Sequence, residues 1–596
     1  MSMTTRPELQ GTFGMVASTH WIASQSGMRT LELGGNAFDA AVTAGFVLQV
    51  VEPHLNGLGG EVPILVHQRN SAPVVICGQG TAPSASSAEA YRRLGLSDVP
   101  GTGHLSACVP GAFDAWMVLL RDFGSMSLRD VLTPAIEYAA DGYPVVAGIV
   151  DAISGVEEMF RTDWPTSAAV YLPGGRVPRT GERLRNPALA MTFERLLAEA
   201  EAASSDREGQ IDAARHAFYS GFVAEAIEAF VRIPVVDTSG RPHAGLLTAA
   251  DMSGWSASTK PALTFDYAGF EVCKTPPWGQ GPVFLQQLAI LSGFDIAGMG
   301  PDSADFVHVV IESAKLAFAD REAFYGDPEF CDVPMEQLLS PQYNDERRKL
   351  VDMAVASLEL RPGSPNGQAG IVPRRDIGDH AGSERVQVAG IGEPTVDLRG
   401  RTRGDTCHVD VVDRFGNMVS CMPSGGWLMS SPVVPELGLS LSTRGQMFVL
   451  DEGLPNTIVG GKRPRTTLSP GLVLRDGAPY MAFGSPGGDQ QDQWALTMLL
   501  RHIHHNMNLQ QVIDAPMFHT THFPSSFWPH ESYPGQVIIE SRFTDDVIKE
   551  LRRRGHAIER SDDWSLGRLS AVTMSSDGLL RAGANPRGMQ GYAVGR

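Results

Sequence analysis

Arg403-Gly-Asp-Thr-Cys-His-Val-Asp-Val-Val-Asp413 is the stretch on which the fold turns. It ends a long segment poor in apolar residues and opens an alternating one. His408 to Val412 alternates, Asp413-Arg-Phe-Gly-Asn417 reads as a turn, and Met418 to Met422 returns, which predicts a β-hairpin. Thr406 stands just ahead of the first strand and two residues after Gly404. A β-branched residue opening a strand is ordinary, so position alone assigns Thr406 no chemistry.

Toward the C-terminus two further hairpins are predicted. Leu472 to Leu474 and Pro479 to Phe483 flank Asp476-Gly477, and Ala571 to Met574 and Leu579 to Arg581 flank Asp577-Gly578. Three hairpins within about 190 residues argue for antiparallel sheet, with helices such as Gln493 to His502 between them. Sheets covered by helices on their outer faces bury both sides, an α+β arrangement. Toward the N-terminus the pattern is mostly helical. Gly34-Gly-Asn36 is a cap signal for a helix that Pro53 stops, and Leu128 to Ala140 and Ser303 to Phe324 carry apolar residues three and four apart. Short β-rich pieces, Pro63 to His67 and Val74 to Cys77, lie between helices. Residues 361–405 are rich in Gly, Pro and charge, which reads as a mobile linker. The expected division is therefore a helix-rich part over 1–360, a linker over 361–405, and a sheet-rich part over 406–596.

The chain has 596 residues, 43% hydrophobic and 19% charged, as globular proteins do, and a net charge of −19. That acidity argues against a nucleic-acid partner, which needs a basic face. Cys77, Cys108, Cys273, Cys331, Cys407 and Cys421 show no CxxC spacing and suggest a reducing compartment. The start MSMTTRPELQGTFG lacks an apolar core, and the best apolar run, Ala40 to Val51, is too short to span a bilayer. A cytoplasmic protein with no membrane partner is expected.

Common site motifs are missing: no GxSxG, complete GxGxxG, P-loop, HExxH or EF-hand loop occurs. His502, His504 and His505, and the pair His519 and His522, read better as polar helix-end and loop histidines than as metal ligands. No metal or cofactor is expected. Gly484-Ser-Pro-Gly-Gly488 ends a hairpin strand before a helix. It reads either as a tight turn or as an anion nest of backbone N–H groups.

Several ordered motifs together resemble the γ-glutamyltranspeptidase family along nearly the whole chain. They are Gly14-Met-Val-Ala-Ser18, Gly34-Gly-Asn-Ala-Phe-Asp-Ala-Ala-Val42, Gly57-Leu-Gly-Gly60, Thr406 to Asp413 with Gly416-Asn417, Gly461-Lys-Arg463, Thr466-Thr467, Ser469-Pro470, Gly484 to Gly488, and Asn585-Pro-Arg587. The resemblance implies an N-terminal-nucleophile (Ntn) hydrolase with an αββα sandwich. It implies a precursor cut between Asp405 and Thr406 into a large and a small subunit, and leaves open a homodimer of these heterodimers. Thr406 would be the nucleophile and its freed α-amine the base. Gly487 and Gly488 would hold the oxyanion, and Ser424 would orient Thr406. Thr466 and Thr467 replace a serine pair lining the family's acyl pocket.

The match departs where the family grips glutamate. Gln79, in Gln79-Gly-Thr-Ala-Pro83, stands for the arginine that binds the α-carboxylate; Met447 stands for the acid that binds the α-ammonium; Gly426 stands for a substrate-binding asparagine. Gln cannot replace a bidentate guanidinium. Losing charge-assisted bonds at both ends would cost about 1.5–3 kcal/mol each. The chain is thus expected to resemble the acylases and amidohydrolases of the family, such as glutaryl-cephalosporin acylases and oxamate-type amidohydrolases, and to act on a small acyl amide. Arg444, Arg463 or Arg465 would meet a substrate carboxylate or serve structure. Three alternatives stand beside this: a genuine glutathione hydrolase or transpeptidase, a C–C bond-cleaving acyl hydrolase in specialised (antibiotic) metabolism, and an unprocessed, non-catalytic binding protein.

Overall fold

The computed structural model describes residues 3–365, 367, 369–372 and 406–596. Asp405 and most of the expected linker lie outside the described residues. The strands before it are β1 (Leu9–Gly11), β2 (Gly14–Ser18), β3 (Val62–His67), β4 (Val74–Gly78), β5 (Ser258–Pro261), β6 (Leu263–Tyr267) and β7 (Phe270–Lys274). Those after it are β8 (Val409–Asp413), β9 (Met418–Cys421), β10 (Gly471–Arg475), β11 (Ala478–Gly484), β12 (Ser570–Met574), β13 (Leu580–Ala584) and β14 (Tyr592–Gly595).

These strands make two seven-stranded sheets, ordered β1-β13-β12-β11-β10-β7-β6 and β14-β2-β8-β9-β3-β4-β5. Neighbours are antiparallel throughout both sheets. The three hairpins read from the sequence are β8–β9, β10–β11 and β12–β13. A smaller sheet pairs Phe518–Thr520, Gln536–Glu540 and Ala557–Ser561, the last two in parallel.

Side-chain alternation explains the layering. In β2, Met15 and Ala17 join one apolar cluster and Val16 another; in β3, Leu65 joins the first, Ile64 and Val66 the second. The first cluster also takes Leu472, Ala482, Val572 and Leu580 from the other sheet, so it is the seam between the sheets. The second faces α1 (Trp21–Glu32), α2 (Ala37–Val51) and α3 (Ala112–Phe123). The opposite outer face, with Val473, Met481 and Phe483, packs on α4 (Gly281–Leu291), α5 (Ala304–Phe324) and α6 (Gln491–His505). The result is an αββα sandwich. Asn36 caps α2 through Phe38 and Asp39, in a capping box with Asp39.

The helix-rich front part also supplies β1 to β7, half of the strands in the two sheets, which the sequence pattern understates. Three-residue β1 is too short to show a period, and β5 and β6 sit at sheet edges with exposed alternate residues. Residue 363, inside the stretch expected to be mobile, is fastened: the Gly363 N–H donates to Asp320 Oδ1 at 2.7 Å. Among the described residues no helix is long and apolar enough to cross a membrane. All six cysteines are free thiols.

Several histidines are buried without a compensating charge. Burial holds His20 and His519 down to about 3, and His104 and His522 down to about 4. A base whose folded pKa is depressed stabilises the fold above its unfolded value near 6.5, and that stability is lost as pH falls toward the folded value. Thermal melts should therefore show Tm dropping steadily from pH 6.5 to 4. A Tm that stays flat across that window would contradict these four neutral, buried rings.

Candidate active site

Two hairpins, one from each sheet, bring their open ends together. In the β8–β9 hairpin the ladder Val409↔Cys421 continues past the strands to a bridge between Thr406 and Ser424. In the β10–β11 hairpin Gly471 pairs with Phe483, so the run through Thr466 and Thr467 and the turn at Gly487 and Gly488 leave from the same end. The sheets touch here: Ser420 Oγ donates to Phe483 O at 3.4 Å, and a Cβ built on Gly484 would come within 2.5 Å of the His408 ring.

Thr406 is fully buried, and its Oγ1 lies 3.1 Å from Ser424 Oγ. Ser424 exchanges backbone hydrogen bonds with Glu61, at 2.8 and 3.0 Å, just ahead of β3. Glu61 in turn accepts from Arg444 Nε and, at 2.6 Å, from Ser442 Oγ. Arg444 Nη2 closes the circuit by donating to Ser424 Oγ at 2.7 Å. Arg444 and Glu61 are both buried. The Trp427 ring centroid lies 5.4 Å from the Arg444 guanidinium carbon and the Phe527 centroid 5.7 Å from it. Met447 Sδ sits 3.9 Å from Arg444 Nη1. Sequence reasoning missed Glu61. A lone acid after Gly57-Leu-Gly-Gly60 signals nothing until Arg444 is seen beside it.

Cys407 anchors the other side of the threonine. Its thiol donates to Glu52 Oε2 at 2.8 Å, which also accepts from Thr19 Oγ1 at 2.6 Å, while Gln590 Nε2 bonds Glu52 Oε1. Burial pushes the Glu52 carboxyl up from its ordinary value.

At the glycine turn, Gly487 has φ +121°, a conformation for glycine alone, and Gln490 N–H closes onto Gly487 O at 3.0 Å. The following Asp489 is held by Arg321 and by the backbone N–H and hydroxyl of Ser526, at 2.8 and 2.7 Å. Consecutive N–H groups in such a turn form a nest for negative charge.

The other candidates have these places. Arg465 Nη2 is committed to Glu322 at 2.8 Å and its Nη1 to Arg321 O at 3.0 Å, while Arg463 pairs with Asp327. Thr466 Oγ1 accepts from Leu468 N–H at 3.3 Å. Thr467 Oγ1 and both amide atoms of Gln79 are buried with no hydrogen-bond partner among the described residues. Gly426 has φ +64°, and a Cβ there would sit 2.8 Å from Gly60 N and 3.0 Å from Ser440 O. This backbone has no room for an asparagine. Three of the histidines weighed as ligands have protein partners: His502 meets Tyr480 at 2.7 Å, His504 meets Tyr267 at 2.9 Å, and His522 meets Glu359 O at 3.1 Å. His308, Glu312 and His556 bring possible ligand atoms within 4.8 Å of one another. There, however, Lys315 Nζ already pairs with Glu312 at 2.7 Å and His308 Nδ1 meets His556 Nε2 at 2.8 Å.

Residues 23–595 match the family described as Gamma-glutamyltranspeptidase. The chain belongs to that family. This gamma-glutamyltranspeptidase-family chain is 32% identical to the Glutathione hydrolase-like YwrD proenzyme of Bacillus subtilis (strain 168), over 98% of its own length and 99% of the relative's. It is 30% identical to the Acylase ACY 1 proenzyme of Pseudomonas sp. (strain SE83), over 96% and 92%. The solved structure of LmbA2991HD superposes with a TM-score of 0.93 at 53% identity, covering 100% of both chains. The family member described here is an enzyme of the hydrolase and acyltransferase kind with the Ntn-hydrolase fold.

Proposed function

We propose that this enzyme cuts its own backbone before Thr406 and then hydrolyses or transfers the acyl group of a small amide that is not γ-glutamyl. The observation that carries the reading is the buried Thr406 hydroxyl, 3.1 Å from the Ser424 hydroxyl, at the head of β8. A threonine hydroxyl needs an adjacent base, and a newly freed α-amine, with an ordinary pKa of about 7.7–8.0, supplies one. Thr406 Oγ attacks the substrate carbonyl while its proton passes to that amine. The Gly487 and Gly488 N–H groups take the oxyanion charge, and the amine then protonates the leaving nitrogen. Water or a second amine resolves the acyl-enzyme.

Against a γ-glutamyl donor stand the buried amide of Gln79, the thioether of Met447 and the lack of room at Gly426. Arg444 is engaged by Glu61 and Ser424. The Trp427 and Phe527 rings beside it favour an acyl group with an apolar body. The unpaired Gln79 amide and Thr467 hydroxyl offer it one or two polar contacts, since leaving such groups buried and unsatisfied costs about 1–3 kcal/mol each. A cytoplasmic location belongs to the same reading, on the six free thiols.

Purified protein should separate under denaturing conditions into two pieces, the smaller beginning at Thr406. It should release p-nitroaniline from apolar acyl anilides much faster than from γ-glutamyl-p-nitroanilide. A small piece with another first residue removes the mechanism. Efficient γ-glutamyl turnover removes the substrate assignment.

A further inference from the structure

We propose that the Glu61–Arg444 ion pair is a positioning device for the nucleophile: it sets the protonation of the Thr406 α-amine and fixes the orientation of Ser424. The inference rests on the cut before Thr406 and adds two residues to that site. Arg444 Nη2 and Thr406 Oγ1 both contact Ser424 Oγ, at 2.7 and 3.1 Å, which puts the guanidinium within about 6 Å of the threonine hydroxyl. A full charge at that range in a buried site moves the pKa of a neighbouring group by about one unit or more. The positive charge of Arg444 disfavours a second positive charge on the amine and so keeps the base neutral. Glu61, bonded to Arg444 Nε, offsets part of that push.

Geometry gives the pair its second task. Ser424 Oγ accepts from Arg444 and lies 3.1 Å from Thr406 Oγ1, so the guanidinium restricts how that hydroxyl turns toward the threonine. Glu61 grips the same serine through the backbone, in both directions, so the carboxylate, the guanidinium and the serine form one closed ring. A surface pair would do little; here both partners are buried, where removing either one leaves the other charge uncompensated.

Other charged and titratable groups are packed around the head of β8. Glu52, with Arg568 near it, acts through Cys407. His408 and Asp410 lie along the strand, 2.8 Å apart. Cys108 lies beside Glu61 and Arg444, with its thiol pushed up by burial. The hydrogen bond from Arg444 Nη2 to Ser424 Oγ places its charge one hydroxyl away from Thr406, and the substitutions below change that charge.

The test reads the amine without a substrate. Processed enzyme is treated with cyanate, which carbamylates only neutral amines, across a pH series. Modification of the small piece's first residue is read by mass. Glu61→Gln removes the negative partner and should lower the midpoint by about one pH unit; Arg444→Gln removes the positive partner and should raise it by about as much; the double variant should return close to wild type. Should one single variant yield no processed protein, the other single and the double variant decide. Midpoints that move together, or by less than about a third of a unit, overturn the proposal. If no preparation contains a piece starting at Thr406, the proposed function fails instead.

Discussion

Thr406→Ala is expected to remain a single chain of 64.0 kDa and to lose turnover altogether. Splitting and catalysis would use one hydroxyl, first on the Asp405 carbonyl and then on substrate, so one substitution removes both. Residual turnover should fall on the order of 10⁴-fold or more, as it does when a nucleophile is deleted from a working catalytic unit. Ala keeps the backbone bridge to Ser424 and the Cys407 contact with Glu52, so the fold itself should survive. Intact mass, activity and Tm measured on one preparation separate the possibilities. Split protein in this variant would refute the assigned cut. An unsplit protein with wild-type turnover would refute the nucleophile.

Gly487→Ala should be the second most damaging change. The φ of +121° is open to glycine and almost nothing else. The new methyl would also stand 2.5 Å from the Trp494 ring. That ring cannot give way, because it is buried in the α6 core and meets His519 edge-on at 5.3 Å between centroids. The turn must move, and its N–H groups lose their aim. Losing one oxyanion donor costs roughly 2.7–4 kcal/mol, or about 10²–10³ in kcat. Single-turnover kinetics on an acyl anilide would measure it, with Tm recorded alongside. A kcat within about threefold of wild type would exclude the glycine pair from the reaction.

The hairpins were legible because local signals agree. Asp476-Gly477 and Asp577-Gly578 mark tight turns, and the flanking residues alternate. The head of β8 was legible as a strand start, but its chemistry came from resemblance, since a β-branched residue there is unremarkable. Glu61 and Arg444 could not be joined by reading: 383 residues separate them, and each alone is a common residue type. For the same reason Arg463 and Arg465 stood as possible carboxylate binders until Asp327 and Glu322 appeared beside them. Gly426 carries a further lesson. Resemblance placed it where the family has an asparagine, but only its φ and the nearness of Gly60 and Ser440 exclude a side chain there. Backbone crowding between segments far apart in sequence leaves no periodic trace.

Each large sheet takes strands from both sides of Thr406: β2, β3, β4 and β5 lie with β8, β9 and β14, and β1, β6 and β7 lie with β10 to β13. A cut before Thr406 would therefore leave two polypeptides, neither with a complete layer of its own. Folding would then have to come first and scission second. So cut, the enzyme would lose the tether that kept its halves at high effective concentration. A heat-melted, cut enzyme would recover only by an encounter of two chains, so its renaturation yield should fall with dilution, whereas that of the uncut precursor should not.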